Sequence, residues 1–216
     1  MAAFPAAAIA SLHSDSAGPD RTGDRLAAVP DPLAPPSQRV LDAAARKGVT
    51  IEIVTFPDST HTAEDAARAV GAELGQIVKS LVFVAPREEA VEPFIVLVAG
   101  PDRVDVARLA AVVGEPAIRR ATAREANDLT GYVIGGIPPF GHRRPIRVVM
   151  DPGLGRHETV WAAAGTQNAV FAVSPATLRM LSNATVAPIA AEVAREVQAG
   201  PAGEQAARAT GSAGGA

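Results

Sequence analysis

Cysteine is absent from this chain of 216 residues, which removes disulfides, thiolate nucleophiles and cysteine zinc sites at once. Aromatic residues are scarce, at 4%. A core must therefore be filled by Ala, Val, Leu and Ile, and the 48% hydrophobic content allows one. No apolar run approaches the roughly 18 residues that a membrane-spanning helix needs. The net charge of −3 and pI near 5.8 exclude a globally basic nucleic-acid coat but leave local patches open. The N-terminus is Ala-rich with no positive segment before its apolar part, which argues against a secretory signal peptide. These shortages together point to a soluble cytoplasmic protein that does not enter a membrane. Lysine is short too: of 20 basic residues only Lys47 and Lys79 are lysine.

Residues 1–36 are rich in Ala, Pro, Ser and Asp, hold no period of 2 or 3.6, and read as a disordered tail. Residues 199–216, dominated by Ala, Gly and Thr, read the same way. The working domain is then 37–198. Within it the pattern predicts a capped helix from Ser37 stopped by Gly48, and a strand over 49–56 with Val49, Ile51 and Ile53 on one face. A turn follows over 57–60. Thr62-Ala63-Glu64-Asp65 has capping-box spacing, with Asp where Glu or Gln is usual, and opens a helix from Ala63 to Val70. Strands are expected over 77–84 and 94–99, joined as a hairpin, with helical spacing over 105–113. A short strand over 117–120 and a helix capped by Thr122 come next. Further strands are expected over 146–151, 158–163 and 169–173, a helix opened by Ser174-Pro175, and a last helix over 190–197. Strands outnumber helices and pair as hairpins, so the fold class is α+β with a mixed, largely antiparallel sheet.

The stretch Gly131-Tyr132-Val133-Ile134-Gly135-Gly136-Ile137-Pro138-Pro139-Phe140-Gly141-His142 combines glycines, which admit positive φ and close approach, with prolines, which stiffen the turn. Such a loop is shaped in advance, with amide N–H groups free to point at a ligand. A tight link between two strands is the plain alternative. Lys79 sits in Ile77-Val78-Lys79-Ser80-Leu81-Val82-Phe83-Val84, sharing a face with Ile77, Leu81 and Phe83. An ammonium there is costly unless it meets an anion or dipole, or snorkels to water from a strand edge.

No two of His13, His61, His142 and His157 have the i, i+4 spacing of a helical metal site. The His61/Asp65 pair has it but supplies too few ligands, so no metal is expected. His61 precedes the capping Thr62 and His142 ends the Gly-Pro loop, so both are candidates to face a cleft. Gly-x-Ser-x-Gly is absent, and the glycines lack Walker or dinucleotide spacing. Arg119, Arg120, Arg124, Arg143, Arg144 and Arg147 flank the loop against only Glu125 and Asp128. They form either a phosphate-binding patch or a solvated arginine face.

Four motifs in order resemble the YbaK/EbsC proteins, free-standing relatives of the editing domain inserted in bacterial prolyl-tRNA synthetases. They are Thr62-Ala63-Glu64-Asp65-Ala66-Ala67, the strand from Gln76 to Phe83, the loop from Gly135 to His142, and Ala164-Gly165-Thr166. The resemblance spans roughly 38–190. It implies a mixed sheet curved into a barrel-like core with helices around it, and hydrolysis of a wrong amino acid from a transfer RNA, often the proline-accepting one. It also implies a pocket lined by Lys79 and by Gly135 through Pro139, with no cofactor. Lys79, Gly135 and Gly136 are then the catalytic candidates. Ile137, Pro138, Pro139, His142, Gly165, Thr166 and His61 are the substrate-binding candidates.

An aminoacyl ester is already activated, so its hydrolysis needs a placed water and a stabilised oxyanion rather than a protein nucleophile. The Gly135-Gly136 amides are candidates for the oxyanion. Lys79 is a candidate for holding the terminal phosphate or tuning local charge. A ribose hydroxyl of the substrate is our hypothesis for the group that positions the water, since no catalytic base stands out. Removing that hydroxyl then slows the reaction greatly, and an unchanged rate contradicts the idea. One departure bears on specificity: several relatives carry a basic pair after the late glycine, where this chain has Thr166-Gln167-Asn168. Size alone discriminates by only about 1–3 kcal/mol per methylene, so alanine, serine and cysteine all remain open. Two other readings stand beside the enzyme. One is a non-catalytic module that binds tRNA ends or aminoacyl groups and docks on a synthetase such as prolyl-tRNA synthetase. The other is unrelated small-molecule use of the same fold.

Overall fold

A computed structural model of the chain describes residues 33–57 and 62–191. The expectations for the tails (all but the last residues before 37), for the turn over 58–60, for His13 and His61, and for most of the helix over 190–197 lie outside the described residues. Ala190 itself makes an antiparallel bridge to Val104.

The longest pairing is the hairpin of β2 (Ile77–Pro86) and β3 (Val91–Ala99), in antiparallel register from Val78↔Ala99 to Pro86↔Val91. It runs further than the sequence pattern suggests, because Arg87 N–H donates to the Ala90 carbonyl and closes a short turn. In β3 the residues Phe94, Ile95, Val96, Leu97 and Val98 are all fully buried. Each such side chain contributes roughly 1.5–3 kcal/mol of burial. A strand apolar on both faces belongs in the middle of a sheet, and β3 lies between β2 and β5 (Arg147–Met150).

Among the described residues the sheet has eight strands. Its path runs β1 (Ile53–Thr55), β7 (Ala169–Val173), β6 (Val160–Ala163), β2, β3, β5 and β8 (Thr185–Val186), while β4 (Arg119–Arg120) pairs with β2 off this path. The pairs β1/β7, β2/β3, β2/β4 and β6/β7 are antiparallel, and β2/β6, β3/β5 and β5/β8 are parallel. The sheet is thus mixed, with the long ladders antiparallel. One face packs Val78, Val82, Ile95 and Leu97 against Ile137, Phe140 and Phe171. The other packs Phe83, Phe94, Val96 and Val98 against Leu109, Val113 and Ile189.

Among the described residues five α-helices surround the sheet: α1 (Pro35–Ala45), α2 (Ala63–Val70), α3 (Val106–Val113), α4 (Ala123–Thr130) and α5 (Pro175–Ser182). The Thr62/Asp65 capping box forms in full, with Asp65 N–H donating to the Thr62 hydroxyl and Thr62 N–H to the Asp65 carboxylate. Thr122 and Glu125 make another on α4, and Arg119 adds a two-pronged ion pair that holds Glu125 down to about 2.

Two expectations are corrected. Helix α1 starts at Pro35, its N-cap is Ala34, and Ser37 lies buried inside it rather than capping it. The paired strand near 49–56 shrinks to Ile53–Thr55, because β7 meets it only at Phe171, Val170 and Ala169.

Candidate functional site

Strand β2 is flanked unevenly. On the edge away from β3, β6 pairs with it only at Ile77 and Val78, and β4 only at Phe83 and Val84. Residues 79–82 therefore have no strand beside them on that edge. A cavity of about 210 Å³ opens there. Its walls are Ala63, Ala66 and Val70 of α2, Trp161 of β6, Val170 of β7, and the turn at Ile134 and Gly135. Lys79, Ser80, Arg120 and Gln167 are polar members of this mainly apolar lining.

Lys79 is half-buried, and its Nζ donates to the main-chain carbonyl of Asp102. Burial draws its pKa below the ordinary lysine value, the Asp102 charge opposes this, and Arg120 reinforces it. The position thus joins a cation to an apolar wall, with a carbonyl dipole as its anchor.

The Gly-Pro loop is held by its own residues. Val133 through Gly136 form a turn in which Gly136 N–H donates to the Val133 carbonyl at 3.0 Å. Gly135 takes φ +90, a position that suits glycine. Tyr132 Oη donates to the Gly141 carbonyl at 2.7 Å, and the Arg39 guanidinium stacks over the Tyr132 ring at 4.7 Å. His142 Nε2 lies 2.8 Å from the Pro138 carbonyl, and burial pushes the imidazole below its ordinary value. Phe140 meets Phe171 edge-on at 5.6 Å.

This loop and the late glycine stretch are joined through backbone. Gly165 N–H donates to the Gly136 carbonyl at 3.0 Å. A Cβ on Gly136 would stand 2.8 Å from the Thr166 Cα, so only glycine permits this approach. Gln167 then reaches across, and its Nε2 donates to the Ile134 carbonyl at 2.8 Å.

Of the residues selected from sequence, Lys79, Gly135 and Ile137 meet at the cavity wall. Gly136 is not part of that wall, and its N–H is already bonded to the Val133 carbonyl. Pro138 and Pro139 are buried in the loop, and His142 braces it from within. Gly165 and Thr166 line a neighbouring hollow with Pro36 and Tyr132, and the Thr166 hydroxyl is bonded to Asn168 Oδ1 at 2.8 Å. The arginine set is divided: Arg120 reaches the cavity, Arg119 pairs with Glu125, and Arg147 lies over the Phe94 ring. Among the described residues no group of three or more His, Asp or Glu side chains is placed to hold a metal ion. None of their helices is long and apolar enough to cross a membrane.

Sequence reasoning named Arg120 only within the arginine set, and did not select Ser80, Trp161 or Gln167 as site residues. Ser80 adjoins Lys79 in the same strand, and Gln167 belongs to the triplet already noted as a departure. Nothing in the pattern marked Trp161, which reaches the cavity only because β6 pairs with the start of β2.

A family model described as the aminoacyl-tRNA editing domain matches residues 57–181. The chain is similar to the uncharacterized protein YwhH of Bacillus subtilis, 32% identical over 61% of this chain and 81% of that protein. It is also similar to the multifunctional Ser/Thr-tRNA deacylase ProXp-y of Escherichia coli, 28% identical over 54% of this chain and 70% of that one. Among solved structures, a candidate trans-editing enzyme for prolyl-tRNA synthetase superimposes with a TM-score of 0.68 at 43% identity, covering 74% of this chain and 99% of that one.

Proposed function

The chain belongs to the aminoacyl-tRNA editing domain family, and from that premise we propose that it is a trans-acting deacylase. Its substrate in this reading is the ester of a small non-cognate amino acid on a transfer RNA, the proline-accepting tRNA foremost. The observation that carries the reading is the cavity at the open edge of β2, where Lys79 and Gly135 meet. It is small, mainly apolar and bordered by cations, which suits a small acyl group arriving on a polyanion.

The reaction is metal-independent in this reading, because the ester is activated already. The Gly135 amide faces the carbonyl oxygen as negative charge develops. Lys79 and Arg120 hold the terminal phosphates, and a ribose hydroxyl of the substrate positions the attacking water. The enzyme acts in the cytoplasm, and prolyl-tRNA synthetase is the partner whose errors it corrects.

The test is incubation of the purified chain with the proline-accepting tRNA carrying Ala, Ser, Thr, Cys or Pro. Selective release of one or more non-cognate residues, with Pro retained, is expected. Stability of all five esters overturns the reading.

A further inference from the structure

The hydroxyl of Ser80 is buried and has no hydrogen-bond partner. Among the described residues one other buried side-chain oxygen shares that condition, on Ser37, which is not part of this cavity. Ser80 lies on the cavity wall, at the stretch of β2 that neither β6 nor β4 covers. The Val82 carbonyl accepts from Ala121 N–H on that edge. Alternate residues of a strand turn their main-chain groups the same way, so the N–H and C=O of Ser80 also face the gap.

A buried hydroxyl without a partner is costly, and in a native fold it calls for a reason. Alanine would fill the same space without that cost. The side chain shares a face with Val78 and Val82, and the cavity lining on that side is Ala126 and Ile137. A polar atom in that setting fits a ligand with one matching polar atom. The cations Lys79 and Arg120 line the same cavity and disfavour the α-ammonium of an aminoacyl group within it. A neutral hydroxyl meets no such repulsion. It can donate to the Ser80 oxygen or accept from it, and rotation about χ1 moves that oxygen between staggered positions with the backbone fixed.

We infer that Ser80 sets the specificity of the cavity: its hydroxyl pairs with the side-chain hydroxyl of the esterified amino acid, so seryl esters are taken in preference to alanyl esters. Seryl and alanyl groups differ by one oxygen, and an apolar wall separates them poorly. A wall built to hydrogen-bond that oxygen rejects the group lacking it far better, since its own polar atom is then left unpaired. This assignment rests on the deacylase reading for its substrate class.

The experiment uses the full chain and two non-hydrolysable probes, adenosine carrying a 3′-seryl-amide or a 3′-alanyl-amide, titrated by calorimetry. The wild type is expected to bind the seryl probe about tenfold more tightly. Ser80→Ala brings the ratio close to one, and Ser80→Thr, which keeps a hydroxyl, restores most of it. A wild-type ratio near one, or a ratio that survives in Ser80→Ala, overturns the assignment. Melting separates a structural role: Ser80→Ala breaks no hydrogen bond, so its Tm stays level or rises, and a clear fall counts against the inference. Because the amides are not hydrolysed, the ratio is read independently of turnover. Seryl preference without ester hydrolysis supports Ser80 and sinks the deacylase reading, whereas hydrolysis without preference does the reverse.

Discussion

Lys79 and His142 each lie against a main-chain carbonyl, of Asp102 and Pro138 respectively, and burial lowers the pKa of both. They serve different ends. Lys79 borders the cavity, whereas His142 braces the loop beside it. For His142 the depressed pKa has a definite consequence for stability. The unfolded chain takes up the proton near the ordinary value of 6.5, before the folded one does. Its contribution is therefore full above that value and is lost as pH falls through the lower folded pKa. Thermal melts on either side of that value should show the wild type losing more Tm on acidification than His142→Gln. Equal losses would contradict the depressed pKa, because an imidazole that titrates alike in both states adds no pH dependence to stability. The sequence marked His142 as a ligand-facing residue because it ends the loop. It could not reveal that the ring turns back to Pro138, since that depends on the path the two prolines impose.

The loop from Gly131 to His142 and the segment from Gly165 to Asn168 act as one element, although more than twenty residues separate them. Gly136 makes this possible by letting the Thr166 backbone come close. Gly136→Ala places a Cβ against main-chain atoms that cannot swing aside, at a cost of about 1–3 kcal/mol. That corresponds to a Tm lower by roughly 2–4 °C for each kcal/mol. Gly155→Ala is the control, because a Cβ there meets nothing within 4 Å. Similar melting of the two variants would contradict the close approach. Glycine pairs announce a turn in any sequence. Which neighbour a glycine must admit is visible only once Gly165 N–H is seen donating to the Gly136 carbonyl.

At the scale of the whole molecule, the sheet was legible where local chemistry decides. The apolar run at Phe94–Ala99, the capping box at Thr62 and the Pro175 start of α5 all stand where the pattern put them. The cavity was not legible. It exists because β6 reaches only the first residues of β2, while β4 reaches only Phe83 and Val84. Such a gap is a property of long-range register, and no spacing within the Lys79 strand encodes it. Ser80 and Trp161 went unnoticed for that reason, although Lys79, two chain positions from Leu81 on an apolar face, was conspicuous. The measurement that bears most directly on the proposed activity compares wild type and Lys79→Ala on whichever non-cognate ester of the proline-accepting tRNA the wild type releases, with tRNA binding followed in parallel. A deacylase of this design loses about a hundredfold in turnover on removal of the Lys79 cation and retains measurable tRNA binding. Turnover unchanged in the variant, or tRNA bound without release by the wild type, would contradict it.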